Sequence, residues 1–375
     1  MRRRRRSAQL TENMLALTLL ATRRHRNLQL QNYCTINHHV PVMKIYFDGE
    51  SELRTDYRLS RQTLDHLIQS LHNHSDHGWG HVVDVLVFVF WLASATSYRV
   101  VSRAFDIPRS TVHNIIHRVA EEILAIQRQV ILLPGNELEE IGAGFARLAH
   151  SAAFSTAVGA IDGCQVRVKP PHTDSQCYLN RKLFFSIQLQ AVCDHTGKFL
   201  DIFVGYTGSV HDSRVLRNSP LYVEQLYPPE GYCILGDGGY PCLELPICIL
   251  TPYREPVRSP VAARFNTHHS RARNVVERSF GMLKTRWRTI FLKALEVKPT
   301  FAPKVIACCA ILHNICLTNG DIMEPAQAAL RPENHEASLL VEPDQQCGER
   351  RRERLAAAVS APIALAPVLG DHDYI

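Results

Sequence analysis

The chain has 375 residues, 46% of them hydrophobic and 21% charged, with a formal net charge of +6. That length supports two or three domains with a sizeable core, and the composition is ordinary for a globular protein. No apolar run approaches the roughly 20 residues that cross a bilayer, and the early Met14–Ala21 run is followed by Arg23, Arg24 and Arg26 instead of a small-residue cleavage site, which disfavours a secretory signal. Eleven cysteines form neither a C-x-x-C pair nor a zinc-finger spacing, so reduced thiols in an intracellular protein are expected.

Residues 1–40 carry no sustained pattern and are expected to be mobile. Their arginine run, Arg2 to Arg6, reads as a nuclear-import signal, placing the protein in the nucleus, with the cytoplasm as a second location. Residues 57–150 read as a helical domain. Ser60 has the chemistry of an N-cap, with Leu64, Ile68 and Leu71 at helical spacing behind it, and His81 to Ala95 is apolar enough for a buried helix. Within 97–119 a helix-turn-helix pattern appears: Tyr98 to Phe105, a turn at Asp106-Ile107-Pro108, then Ser110 to Val119. Val101, Ile107, Val112 and Ile116 would form its core. Arg109, Thr111, His113, Asn114 and Arg118 would face bases or phosphates.

The period changes after residue 150. Ala157 to Val168, Phe184 to Cys193 and Phe199 to Val204 read as strands separated by turn signals, His211 to Leu226 as a helix, and Cys233 to Leu235 and Ile247 to Leu250 as short strands. Ser270 to Ile290 reads as a long helix. Three strands, a helix, two strands and then helices predict an α/β fold, an RNase H-like mixed sheet with flanking helices over 151–317. Residues 320–375, with an arginine/glutamate run and an Ala/Pro/Val-rich end, are expected to be a largely disordered tail.

Two-metal phosphoryl transfer needs three or four carboxylates on rigid elements, holding the attacking water and the leaving oxygen between two hard cations, Mg²⁺ or Mn²⁺. Asp162 stands in an apolar strand beside Gly163, and Asp237 ends a second in the run Gly236-Asp237-Gly238-Gly239. Isolated carboxylates in such strands are costly unless paired or metal-bound. In the expected order the two strands are neighbours. Glu277 lies on the long helix, where Val276, Phe280, Leu283, Trp287 and Ile290 form one apolar stripe and Glu277, Gly281, Lys284 and Arg288 an adjacent one, with Arg273 a turn earlier. Asp212, at the start of a helix, fits either a capping sequence or a fourth ligand. Between Arg254 and Lys304 twelve Lys/Arg face three acids, a local net of +9; such a segment suits a DNA-binding face, with Arg273, Lys284 and Arg288 on phosphates.

The motifs AIDG (160–163), YLNRK (178–182), GSVHDSRVLRNS (208–219), GDGGYP (236–241), RNVVERSFGMLKTRWR (273–288) and ILHNIC (311–316) together resemble the Harbinger transposase-derived nucleases, DDE superfamily endonucleases that include the plant ALP-like proteins. With the helix-turn-helix region, the resemblance covers roughly residues 57–317. It implies a metal-dependent DNA endonuclease with Asp162, Asp237 and Glu277 as catalytic triad and Asp212 as an added metal-associated aspartate. It also implies DNA as substrate and a Myb-like DNA-binding partner, with an oligomer conceivable. A catalytically silent derivative that only binds DNA or protein is the alternative. Tyr206-Thr207-Gly208 departs from the usual Trp-Pro-Gly without touching the acids.

Overall fold

The computed structural model describes residues 40–71, 79–325 and 345–361; the basic N-terminus predicted over 1–39 lies outside them. Two compact units are present, residues 40–64 with 79–117, and residues 65–71 with everything described from 118 onward.

The first unit is helical. The helix Arg61–Ser70 begins where predicted: the Ser60 hydroxyl accepts from the Thr63 amide at 3.2 Å, satisfying a first-turn donor. The apolar helix His81–Ser94 is buried on nearly every side, and its Phe90 ring meets Phe105 at 5.4 Å. Tyr98–Phe105 and Arg109–Ala125 follow, joined at Asp106 in the left-handed conformation. Val101, Ile107, Val112 and Ile116 are buried as expected, and the second helix runs on to Ala125 because Val119, Ala120 and Ile123 continue the apolar stripe.

The second unit is built on a five-stranded mixed sheet of order β3-β2-β1-β4-β5, with β1 Ala157–Arg167, β2 Ser186–Cys193, β3 Phe199–Thr207, β4 Cys233–Leu235 and β5 Ile249–Leu250. β1, β2 and β3 pair antiparallel, and β4 and β5 run parallel to β1. Every residue of β2 and the first eight of β1 are buried, the polar Ser186, Gln188 and Gln190 of β2 included. The helix Pro260–Arg286 packs on β1 and β2, and Ala302–Thr318 packs on β2 and β3. In the second of these Asn314 accepts from the Phe199 amide at 2.8 Å and donates to its carbonyl at 2.7 Å, fixing the start of β3.

Three expectations are corrected. The single helix predicted over His211 to Leu226 is two, Asp212–Arg217 and Pro220–Val223, because Pro220 lacks an amide donor and Ser219 caps a fresh turn, accepting from Tyr222 at 3.4 Å. The long helix starts at Pro260, ten residues before the predicted Ser270, with proline at the position where its missing amide costs nothing. The tail predicted disordered contains the helix Gln345–Val359, which packs on β5 and Pro260–Arg286 and buries Ala356 and Val359. It approaches so closely that a Cβ at Gly348 would lie 2.4 Å from the Cys242 carbonyl oxygen. Among the described residues nine cysteines are free thiols, eight of them buried, and no helix is long and apolar enough to cross a membrane.

Gly348→Ala is therefore expected to lower stability by about 1–3 kcal/mol through backbone overpacking, measured by urea denaturation, with faster proteolysis within 345–361. His269 and His313 are buried and held neutral, each donating from Nε2 to a backbone carbonyl (Leu250 at 3.0 Å, Gly197 at 3.0 Å), and burial pulls both down to about 4. Unfolding lets them take up protons below their ordinary value near 6.5. Stability should thus fall as pH drops from about 6.5 towards 4 and owe nothing to these groups above that window. His313→Gln, which cannot titrate, should flatten the pH slope of the melting temperature across it.

Candidate active site

β1 and β4 place the two aspartates. Ala160 pairs with Leu235 across the parallel ladder; Asp162 stands two residues further along β1, and Asp237 two residues past the end of β4, in the loop that follows it. Both are almost wholly buried. Asp162 Oδ1 accepts from the Gly163 amide at 2.8 Å, and Asp237 Oδ1 accepts from the Gly239 amide at 2.9 Å. Such amide donors stabilise the ionised form and fix the orientation of each carboxylate.

Glu277 comes from the long helix. Its apolar stripe, Val276, Phe280, Leu283, Trp287 and Ile290, is buried as predicted, which turns the neighbouring stripe towards β1. Arg273 and Glu277, one turn apart, form an ion pair, and the same guanidinium reaches Asp162 Oδ2 at 3.2 Å. Arg273 thus bridges two of the three predicted catalytic acids. Burial works against its charge, but Asp162, Glu277 and Asp237 outweigh that effect and hold its pKa above the ordinary arginine value. In this structure the partners of Arg273 are carboxylates, and its side chain is largely enclosed.

Asp212 opens the helix Asp212–Arg217. Its Oδ1 accepts from Gln188 Nε2 of β2, and its Oδ2 and Asp237 Oδ1 each lie 3.1 Å from the point where a Cβ of Gly239 would stand. A Cβ at Gly163 would come within 2.5 Å of Asp212 Oδ1, so both glycines leave room for carboxylates. The motif residues that precede Asp212 brace it: Arg181 of YLNRK donates to the His211 imidazole at 2.6 Å, and the Ser209 amide donates to the Cys177 carbonyl at 3.3 Å. Below lies Tyr240, whose phenol is pushed well above its ordinary pKa by burial and then by the fields of Asp212, Asp162 and Asp237. Three aspartates therefore act on one buried phenol. Sequence reasoning missed Gln188 and Tyr240: a glutamine in a strand and a tyrosine after a glycine turn carry no signal until the sheet is assembled.

Whether this set suits a divalent cation depends on donor chemistry and placement. All four side chains offer oxygen, the type Mg²⁺ and Mn²⁺ take, and Asp212 and Asp237 approach each other over Gly239. As the side chains stand, no group of three or more His, Cys, Asp or Glu among the described residues closes on one point; on the Asp162–Glu277 side Arg273 supplies the positive charge. The donor chemistry fits a hard cation, with Glu277 engaged by Arg273.

The other predicted DNA-contact residues are spread out. Lys284 is half-buried, and Arg288 is exposed just past the helix end. Arg286 of the same basic segment is internal, paired with buried Asp321 at 3.4 Å. In the first helical unit Arg109, His113 and Asn114 are exposed and Thr111 half-buried; Arg118, further along that helix, pairs with Glu122 at 3.7 Å.

Residues 161–314 match the family described as DDE superfamily endonuclease. The chain is 30% identical to a protein named ALP1-like from Arabidopsis thaliana over 246 residues, 61% of this chain and 59% of that one. It is 28% identical to the Homo sapiens protein HARBI1, whose name calls it a nuclease only provisionally, over 222 residues, 58% of this chain and 62% of that one. With the Xenopus laevis protein of the same name it shares 25% over 315 residues, 81% and 88% of the two chains. The chain thus spans about three-fifths of the length of the plant and mammalian relatives. No solved structure matches it.

Removing the bridging cation tests the electrostatics of the site. Arg273→Met removes the cation that bridges Asp162 and Glu277, and should cost a few kcal/mol of stability, measured by urea denaturation.

Proposed function

We propose, for a chain whose residues 161–314 belong to the DDE superfamily endonucleases and which resembles the Harbinger transposase-derived nucleases, that the protein cuts DNA by metal-dependent hydrolysis of phosphodiester bonds. The observation that carries this is the convergence of Asp162, Asp237 and Glu277: one aspartate on β1, one just past the end of the neighbouring parallel strand β4, and a glutamate tied to the first through Arg273. The strand order, with three antiparallel strands followed by two parallel to the first, supports an RNase H-like reading of the domain.

Asp162, Asp212, Asp237 and Glu277 would hold Mg²⁺ or Mn²⁺, which when bound supplies the charge that activates water and stabilises the leaving oxygen. The protein's own groups do the positioning. The amides of Gly163 and Gly239 orient the aspartates, and Arg273, once released from Glu277, would meet phosphate charge. Lys284 and Arg288 extend the cationic stripe along the backbone of the DNA. Arg109, Thr111, Asn114 and Arg118, on the second helix of the helix-turn-helix-like pair, are the proposed DNA contacts of that helix. A nuclear location and a Myb-like partner accompany this reading.

A second reading, DNA binding without cleavage, draws on the same Arg273 bridge, which neutralises the acids internally. The two separate in one assay. Supercoiled plasmid incubated with Mg²⁺ or Mn²⁺ should be nicked by the wild type and at least about 100-fold more slowly by Asp162→Asn, a loss of roughly 3 kcal/mol of transition-state stabilisation. Equal nicking by both proteins sinks the assignment; salt-dependent binding with no nicking in either metal supports the second reading.

A further inference from the structure

Gln188 and Gln190 stand on β2, both fully buried, and belong to none of the motifs that carry the resemblance. Their side chains share one face of the sheet, opposite Gln165 and Gly163 of β1 in the antiparallel register. Gln188 Nε2 donates to Asp212 Oδ1, passing over Gly163, where a Cβ would lie 2.6 Å from that nitrogen and 2.5 Å from that oxygen. The contact therefore exists only because position 163 has no side chain. Gln190 Oε1 accepts from the Tyr240 hydroxyl at 3.5 Å, and Tyr240 is the phenol on which three aspartates act. Gln188 Oε1 and Gln190 Nε2 are buried with no hydrogen-bond partner in the protein.

Buried amides in a strand are costly, and an unsatisfied end adds to the cost. A leucine at 188 would fill the same volume without it. What the amide does provide is orientation. By engaging Oδ1, Gln188 leaves Oδ2 of Asp212 facing Asp237 Oδ1 across Gly239. We propose that Gln188 is the positioning residue for Asp212, selecting which carboxylate oxygen faces Asp237 and so setting the affinity of the divalent cation those two aspartates would share. This deepens the nuclease reading and rests on it. Outer groups that orient a ligand by hydrogen bonding commonly govern metal affinity by about 10- to 100-fold.

The test is Mn²⁺ binding to the full chain, without DNA, followed by the electron paramagnetic resonance signal of free Mn²⁺. Gln188→Leu and the closer-shaped Gln188→Met are compared with wild type, Asp212→Asn and the two double variants, with circular dichroism and melting in EDTA as checks of folding. Expected is Mn²⁺ binding weakened about 10- to 100-fold by either substitution at 188, and no further weakening when it is added to Asp212→Asn, since the effect passes through that carboxylate. A structural role alone would shift the EDTA melt while leaving Mn²⁺ affinity unchanged, and that result in Gln188→Met overturns the positioning role. Penalties that simply add in the double variants overturn it as well. Absence of Mn²⁺ binding by wild type overturns the metal-dependent reading itself, which distinguishes that failure from the failure of Gln188 alone.

Discussion

A carboxylate buried in the middle of a sheet is the constraint from which the architecture of this domain follows. Asp162 sits on a strand buried along nearly its whole length, where an unpaired ionised group would cost several kcal/mol. Arg273 meets that demand, and it does so from a helix whose apolar stripe allows only one rotation against the sheet. Docking Val276, Phe280, Leu283 and Trp287 delivers Arg273 and Glu277 together, because residues four apart share a helix face. Hydrophobic packing and charge compensation therefore select the same register. A helix turned to hide the cation elsewhere would expose the stripe.

Support on the Asp212 side is of another kind. There the helix Asp212–Arg217 is short and could not hold its first residue in place by itself. Contacts from two segments distant in sequence do so: Arg181 on His211, and Gln188 on Asp212. The glycines at 163 and 239 matter because of what they leave out. A side chain at 163 would displace Asp212 or Gln188, and one at 239 would press on the oxygens of both Asp212 and Asp237.

The basic character of residues 254–304 changes meaning once the chain is folded. Twelve cations look like a continuous polyanion-binding surface when counted along the sequence. Folded, Arg273 neutralises acids and Arg286 is enclosed with Asp321. Both are arginines at the buried margin of the long helix, where a delocalised, multiply donating cation can be satisfied by several acceptors at once. Most of the other cations of the segment, Arg288 among them, remain exposed.

Much of the fold was legible in the sequence. Periodicity located every strand of the sheet to within a few residues, the Ser60 cap, and the buried stripe of the long helix, since each is a local consequence of side-chain pattern. Asp162, Asp237 and Glu277 stood out for the same reason, as acids interrupting apolar runs or flanking an apolar stripe. What stayed hidden depends on contacts between distant segments. The break at Ser219-Pro220 replaced one helix by two, and the charged composition of 345–359 concealed a helix that finds its apolar partners only on β5 and the long helix. The bond of Arg273 to Asp162 and the contact of Gln188 with Asp212 join residues 111 and 24 positions apart. Sequence determines which groups are costly to bury; only the assembled sheet and its helices decide which partner relieves each of them, because that choice depends on distance in space.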